Sequence, residues 1–349
     1  PLDFYDVIAK LSFRPGEDSW LSANLLLSND DLTQPNALEP SYLWRNRGFG
    51  LSYHQLLGEK YYATLRMTVS KFRGKLDPQK SPTIRPQSTN VDEISFHADM
   101  NYFASQQDQT EIGASWSIPE MRSELVNSAG IRTQASGSTA ETGVWVKYKT
   151  TRWYPFVAEA GSRFNIVLLQ SKPQFVSEPR LAVRYQVRPD VALTVSYGRY
   201  HQQVMTISNE DDIISLFESW VPVPETVAAE EADHNVAGIE LILLDRLELN
   251  LEGYYKTYKN LITHNRDKID RFDPDYIPGK GKSYGAEVFL KGGTGLVSGW
   301  VSYSFGKATR TVNDFSFDPR YDRRHNLNVV AGLKFPGGWQ LGAHWEFGS

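Results

Sequence analysis

Connections along this chain alternate short, long, short, long between about sixteen strand-like runs. Arg14-Pro15-Gly16-Glu17-Asp18 joins Asp3–Phe13 tightly to Ser19–Ser28. The polar segment Asn29–Glu39 then leads to Tyr42–Leu56, and Gly58-Glu59 turns the chain into Tyr61–Phe72. The rhythm continues with short turns at Gln107-Asp108-Gln109, Thr150-Thr151-Arg152, Arg188-Pro189-Asp190, Asp245-Arg246, Gly292-Gly293-Thr294-Gly295 and Pro336-Gly337-Gly338. Between them lie the long polar stretches Arg73–Asn90, Met121–Ser138, Gln170–Ser177, Gln202–Ala232, Leu261–Lys280 and Lys307–Tyr321. A soluble sandwich or propeller has no reason to sort its loops by end. An antiparallel barrel spanning an outer membrane does, with short periplasmic turns and longer extracellular loops.

The runs themselves alternate. In Ser283–Phe305, Val297, Gly299, Val301, Tyr303 and Phe305 share one face, and Ser298, Trp300, Ser302 and Ser304 share the other. Ile94, Phe96, Ala98, Met100 and Tyr102 likewise oppose Glu93, Ser95, His97, Asp99 and Asn101. Such a strand has oil on one side and water on the other. Composition agrees: 13% of residues are aromatic, yet mean hydropathy is −0.43 and 22% are charged. A polar lumen combined with aromatic girdles produces that balance. The expected fold is all-β, a transmembrane antiparallel up-and-down β-barrel occupying residues 1–349 as one domain.

Other classes lose support. No run approaches the roughly 18 apolar residues of a spanning helix, and a net charge of −4 gives no nucleic-acid surface. With no cysteine, disulfides, thiolate catalysis and Cys-ligated zinc are excluded. The first residue is Pro1 and no signal peptide is present, so a removed signal or a partial chain is expected. One helix is expected, over Glu210–Trp220 in the longest loop, from the spacing of Ile213, Ile214 and Phe217. Trp20, Tyr42, Tyr61, Trp153, Tyr303 and Trp339, at strand ends, are read as an interfacial belt.

Several stretches go beyond generic barrel patterning. Pro224-Glu225, Gly238-Ile239-Glu240 and Tyr254-Tyr255-Lys256 with Asn260-Leu261 resemble, in that order, a barrel segment of TonB-dependent receptors. Ser283-Tyr284-Gly285 with Glu287, followed by Gly299-Trp300-Val301-Ser302-Tyr303-Ser304, is similar to the family's next hairpin. Asp322-Arg323-Arg324-His325 with Leu327 resembles its DRRHxL strand start, and the first hairpin also looks familiar. The resemblance implies an outer-membrane receptor that takes up a bulky scarce nutrient such as a ferric siderophore or a corrinoid. It implies partnership with the TonB–ExbB–ExbD system through a plug, contact with outer-membrane lipid, and a monomeric barrel. Family barrels have about 22 strands around a plug. Neither plug nor TonB box is in this chain, which is therefore expected to be an internal part of the barrel. A passive porin is the alternative.

No catalytic, metal or cofactor constellation emerges. The seven histidines are scattered, and Gly292-Gly293-Thr294-Gly295 precedes a strand where a phosphate loop requires a helix. Candidate ligand contacts are Arg66, His97, Asp99, Trp145, Glu159 and Arg163 on lumenal faces, and Trp220, His264 and Arg266 in outer loops. Arginine clamps anions bidentately, and rigidly mounted loops concentrate binding residues. Each of these residues also suits an ordinary polar lumen.

Overall fold

The computed structural model describes residues 1–82, 84–126, 130–169, 172–207, 219–224, 227–244, 246–265, 268–270, 272–319 and 321–349. Strands β1 (Leu2–Gly16), β2 (Ser19–Leu32), β3 (Ser41–Leu57), β4 (Tyr61–Asp77) and β5 (Gln87–Phe103) open the chain. Next come β6 (Asp108–Val126), β7 (Arg132–Thr150), β8 (Phe156–Leu169), β9 (Lys172–Arg188) and β10 (Val191–Gln202). A short hairpin, β11 (Val204–Ile207) and β12 (Ser219–Pro222), interrupts before β13 (Glu230–Leu243), β14 (Leu247–His264), β15 (Tyr276–Gly293) and β16 (Val297–Val312). The small β17 (Phe315–Phe317), β18 (His325–Lys334) and β19 (Gln340–Gly348) complete it. Each long strand pairs antiparallel with its sequence neighbour, so sixteen form one up-and-down wall of the 17-stranded sheet and β17 extends the outer end of β16. β1 pairs only with β2 and β19 only with β18 among the described residues, and both edge strands are exposed throughout.

The exposed side chains are the apolar ones. In register around the outside run Leu65, Ala98, Ala114, Val144 and Phe164, and further on Val183, Val195 and Ala237. The opposite face carries the charges. Such inverted polarity is stable where the exterior solvent is hydrocarbon and the backbone is satisfied between strands. Above this band the outward face turns polar. On β6, Ile112, Ala114, Trp116 and Ile118 give way to Glu120, Arg122 and Glu124, with Arg122 bound to Glu120 at 2.5 Å and Arg132 to Glu124 at 2.9 Å.

Three expectations change here. Met121–Ser138 is mostly strand, because β6 and β7 continue far above the band. β16 likewise runs to Val312, and β14 and β15 reach His264 and Tyr276. On β6 and β7 the outward face of these projecting ends is polar while the inward face, with Met121, Ser123, Leu125 and Thr133, is buried, so the apolar-out, polar-in alternation of the band is lost and they read as loops. Of the expected helix, residues 210–218 lie outside the described residues. Ser219 and Trp220 are strand, paired with Ile207 and Thr206. Of the aromatics assigned to the belt, Tyr42 is buried against Leu76 and stacked on Trp44 at 5.3 Å. Trp20 sits beside Tyr62 and beneath Arg14, in register with lumenal His54 and Thr64. Tyr61, Trp153, Tyr303 and Trp339 are exposed as expected.

The compact apolar cluster is at the mouth formed by the long connections. Met205, Val221 and Val223 of the β11–β12 hairpin region pack with Ile262, joined by Ala135 and Tyr276 from strands well separated around the wall. The Thr89 hydroxyl holds the hairpin, accepting from the Trp220 N–H at 3.1 Å and donating to the Trp220 carbonyl at 3.4 Å. Nearby, the Thr133 hydroxyl donates to Asp275 across the mouth at 3.0 Å.

The Asp322 segment anchors β18. Asp322 accepts from the Ala308 N–H at 2.7 Å and from Arg324 Nε at 2.6 Å, while Arg324 reaches Asp318 at 2.6 Å. Burial pushes the Asp322 carboxyl up, but the Ala308 N–H and the Arg324 guanidinium outweigh it and hold the carboxyl below the ordinary aspartate value. A depressed acid stabilises the fold above its unfolded pKa of about 3.9 and loses that contribution as pH falls through the folded value. Protease nicking of the 313–324 connection is therefore expected in acid and not at neutral pH. Asp322→Asn should be nicked at neutral pH as well; equal resistance of variant and wild type there would contradict the anchoring role.

Candidate functional site

Alternation assigns the lumenal side chains strand by strand, and register brings them together. On β4 and β5, Arg66 stands opposite His97 and forms an ion pair with Asp99 at 2.9 Å. The His97 ring lies 5.9 Å from the Trp145 ring of β7. Trp145 donates its indole N–H to Glu111 at 3.0 Å, and Glu111 is paired with Lys147 at 2.8 Å.

Trp145 can occupy this place because the neighbouring strand has no side chain there. A Cβ on Gly113 would overlap the indole ring. Gly113→Ala is expected to destabilise the fold by about 1–2 kcal/mol through overpacking, and Trp145→Ala in the same chain to relieve most of that. Unfolding of the detergent-solubilised protein in urea measures both; additive losses would show that the ring can move aside. The family-like Gly285 has the same logic, since a Cβ there would fall 2.6 Å from the Tyr254 hydroxyl and overlap the Phe305 carbonyl oxygen. Tyr254-Tyr255 and Ser283-Tyr284-Gly285 are thus two halves of one packing arrangement.

Arg163 of β8 is the hub. Its guanidinium lies over the Trp145 ring at 5.5 Å and donates to Asn165 at 2.7 Å, Ser115 at 2.9 Å and Glu141 at 3.0 Å. Glu141 also accepts from Gln203, which follows β10. Farther round, Arg180 lies over the Tyr200 ring at 4.8 Å, and the Tyr200 and His234 rings are 4.8 Å apart. A cavity of about 480 Å³ opens between these groups, lined among others by Glu111, Trp145, Glu159, Arg163, Arg180 and His234. Cation faces, carboxylates and flat rings converge on it, which suits a polar ligand with conjugated or anionic groups.

Six of the nine candidate residues therefore fall in one lumenal band. Trp145, Glu159 and Arg163 line the cavity, while Arg66, His97 and Asp99 join it through the His97–Trp145 contact. Trp220 stands apart at the mouth on β12, with its side chain partly exposed. His264 is the last residue of β14, and Arg266 lies outside the described residues. Glu111, Glu141, Lys147, Arg180, Tyr200 and His234 were not singled out from sequence; each has the lumenal parity of its strand, and only inter-strand register groups them. Among the described residues no three His, Asp or Glu side chains gather as a metal site.

A family model described as TonB dependent receptor-like, beta-barrel, matches residues 4–349. The chain belongs to that family, one of receptors and transporters rather than enzymes. Among solved structures it is similar to the alcaligin outer-membrane receptor FauA of Bordetella pertussis, at 12% identity and a TM-score of 0.68, covering 100% of this chain and 60% of that one. It is also similar to the FrpB iron transporter of Neisseria meningitidis, at 12% identity and 0.74, covering 98% and 58%. The copper transporter OprC is a third, at 9% identity and 0.72, covering 99% and 58%. At such identities the likeness is one of fold. The chain spans about three fifths of the length of these structures. A comparison with curated proteins returns no match.

Proposed function

We propose that this chain is most of the barrel wall of an outer-membrane receptor that takes up a bulky scarce nutrient in TonB-dependent fashion. The observation that carries the reading is the lumenal band of Arg163, Trp145, Arg180 and His234 within a wall that is apolar outside. Further strands of the parent protein complete the wall, since β1 and β19 otherwise leave unpaired backbone groups in lipid. A plug in the parent fills the lumen and meets TonB–ExbB–ExbD, and the barrel works as a monomer in a Gram-negative outer membrane. The fold neighbours named for alcaligin, iron and copper support cargo such as a ferric siderophore, with a corrinoid as the other class considered.

A strain lacking the parent gene is expected to lose growth on one defined iron or cobalamin source and to regain it with the full-length protein, provided TonB is present. Complementation without TonB, together with steady ion conductance of the purified full-length protein in planar bilayers, would establish a passive porin instead.

A further inference from the structure

On the outward face of β3 and β4, just above the apolar band, the wall carries cations in directly opposed pairs. Arg47 faces Lys71 and, one row higher, Arg45 faces Arg73, with Lys75 beyond. Directly opposed like charges destabilise a sheet. Two acids partly answer them: Asp92 pairs with Arg73 at 3.2 Å and Asp77 with Lys75 at 3.0 Å. Arg45 donates to the neutral Asn29 at 2.7 Å. Arg47 and Lys71 have no ion-pair partner among the described residues. Elsewhere on the same rim the charges are matched, as in Arg122–Glu120, Arg199–Asp233 at 2.8 Å and Lys259–Glu231 at 2.6 Å. The one-sided excess is local.

Its surroundings fit an amphiphile. The row immediately below Arg47 and Lys71 is Phe49 opposite Val69, followed by Leu51 opposite Met67, and the stripe continues down the lipid-facing wall. The cations line an outward cavity of about 450 Å³ together with Leu43, Ser88 and Asn90. Guanidinium forks bind phosphate bidentately, and ammonium groups add compact charge.

We infer that this face docks the phosphorylated sugar headgroup of an outer-leaflet glycolipid, its phosphates between the Arg47–Lys71 and Arg45–Arg73 rows and its acyl chains on the stripe below. A free phosphate would use the cations alone; the continuous apolar stripe favours the lipid. The inference rests on the outer-membrane reading above.

Full-length protein, purified in detergent and moved into phosphatidylethanolamine vesicles, tests it. The probe is a bisphosphorylated glucosamine-disaccharide lipid added to those vesicles. Wild type is expected to bind it, with affinity falling about fivefold for each of Arg47→Gln and Lys71→Gln, whereas Arg122→Gln on the matched part of the rim leaves it unchanged. Equal binding by wild type and the double variant would overturn the inference, as would equal binding of the dephosphorylated lipid. Competition by inorganic phosphate as strong as that by the glycolipid would also overturn it, in favour of a free-anion site. Failure of wild type to enter lipid-only vesicles would instead overturn the membrane reading itself, a distinct result.

Discussion

Val195→Arg is expected to destabilise the protein in a bilayer by about 2–4 kcal/mol, the cost of an arginine on the lipid face near mid-membrane. Val195 is 61% exposed and stands between Val183 and Ala237 on neighbouring strands, in the middle of the apolar band. The adjacent Thr194 points the other way, between Arg184 and Gly238. Thr194→Arg places the same group in the wet lumen and should shift stability by well under half as much. Urea titration of the full-length protein folded into phosphatidylcholine vesicles separates the two variants. Because neighbouring residues differ only in face, similar losses for both would show that the exposed apolar face does not meet lipid.

That face-by-face contrast also explains what the sequence disclosed. Where one side of a strand meets hydrocarbon and the other water, as along Ile112–Ile118, polarity alternates strictly and the strand is legible. The projecting ends around Met121–Ser138 are polar outside and covered inside, where Met121, Ser123, Leu125 and Thr133 are buried, so the same backbone continues without the apolar-out, polar-in signal. Strand-end position gave the height of Trp20 and Tyr42 but not their face. Only pairing with His54 and Thr64, or with Leu76, places them inward. The site followed the same rule. Arg163 and Trp145 were visible by parity on their own strands, whereas Tyr200 and His234 join them only through registers spanning β8 to β13. The glycine at position 113 reads as a weak strand residue until the Trp145 ring is seen lying on it.

Arg163→Met is expected to have the largest effect on function, because one side chain links three strands of the lumenal wall. The substitution keeps volume and apolar stem but leaves Glu141, Asn165 and Ser115 without the guanidinium and removes the cation from the Trp145 face. Breaking a fully buried pair costs about 3–5 kcal/mol. Here Arg163 and Glu141 are 26% and 14% exposed to the lumen, so solvent screening reduces the loss to about 2 kcal/mol. Arg163→Lys restores the charge without the fork and should recover part of the stability but not the simultaneous bonding of Asn165, Ser115 and Glu141. Cargo uptake in the deletion strain complemented with each variant should fall at least about tenfold for Met and less for Lys, since a cation–π face and three oriented hydrogen bonds are lost together. Glu159→Gln supplies the contrast: Glu159 lines the same cavity, so uptake should change while urea stability remains near wild type. If Arg163→Met lowers stability but leaves uptake per folded protein unchanged, the band is a structural brace of the wall and the cargo contacts lie elsewhere.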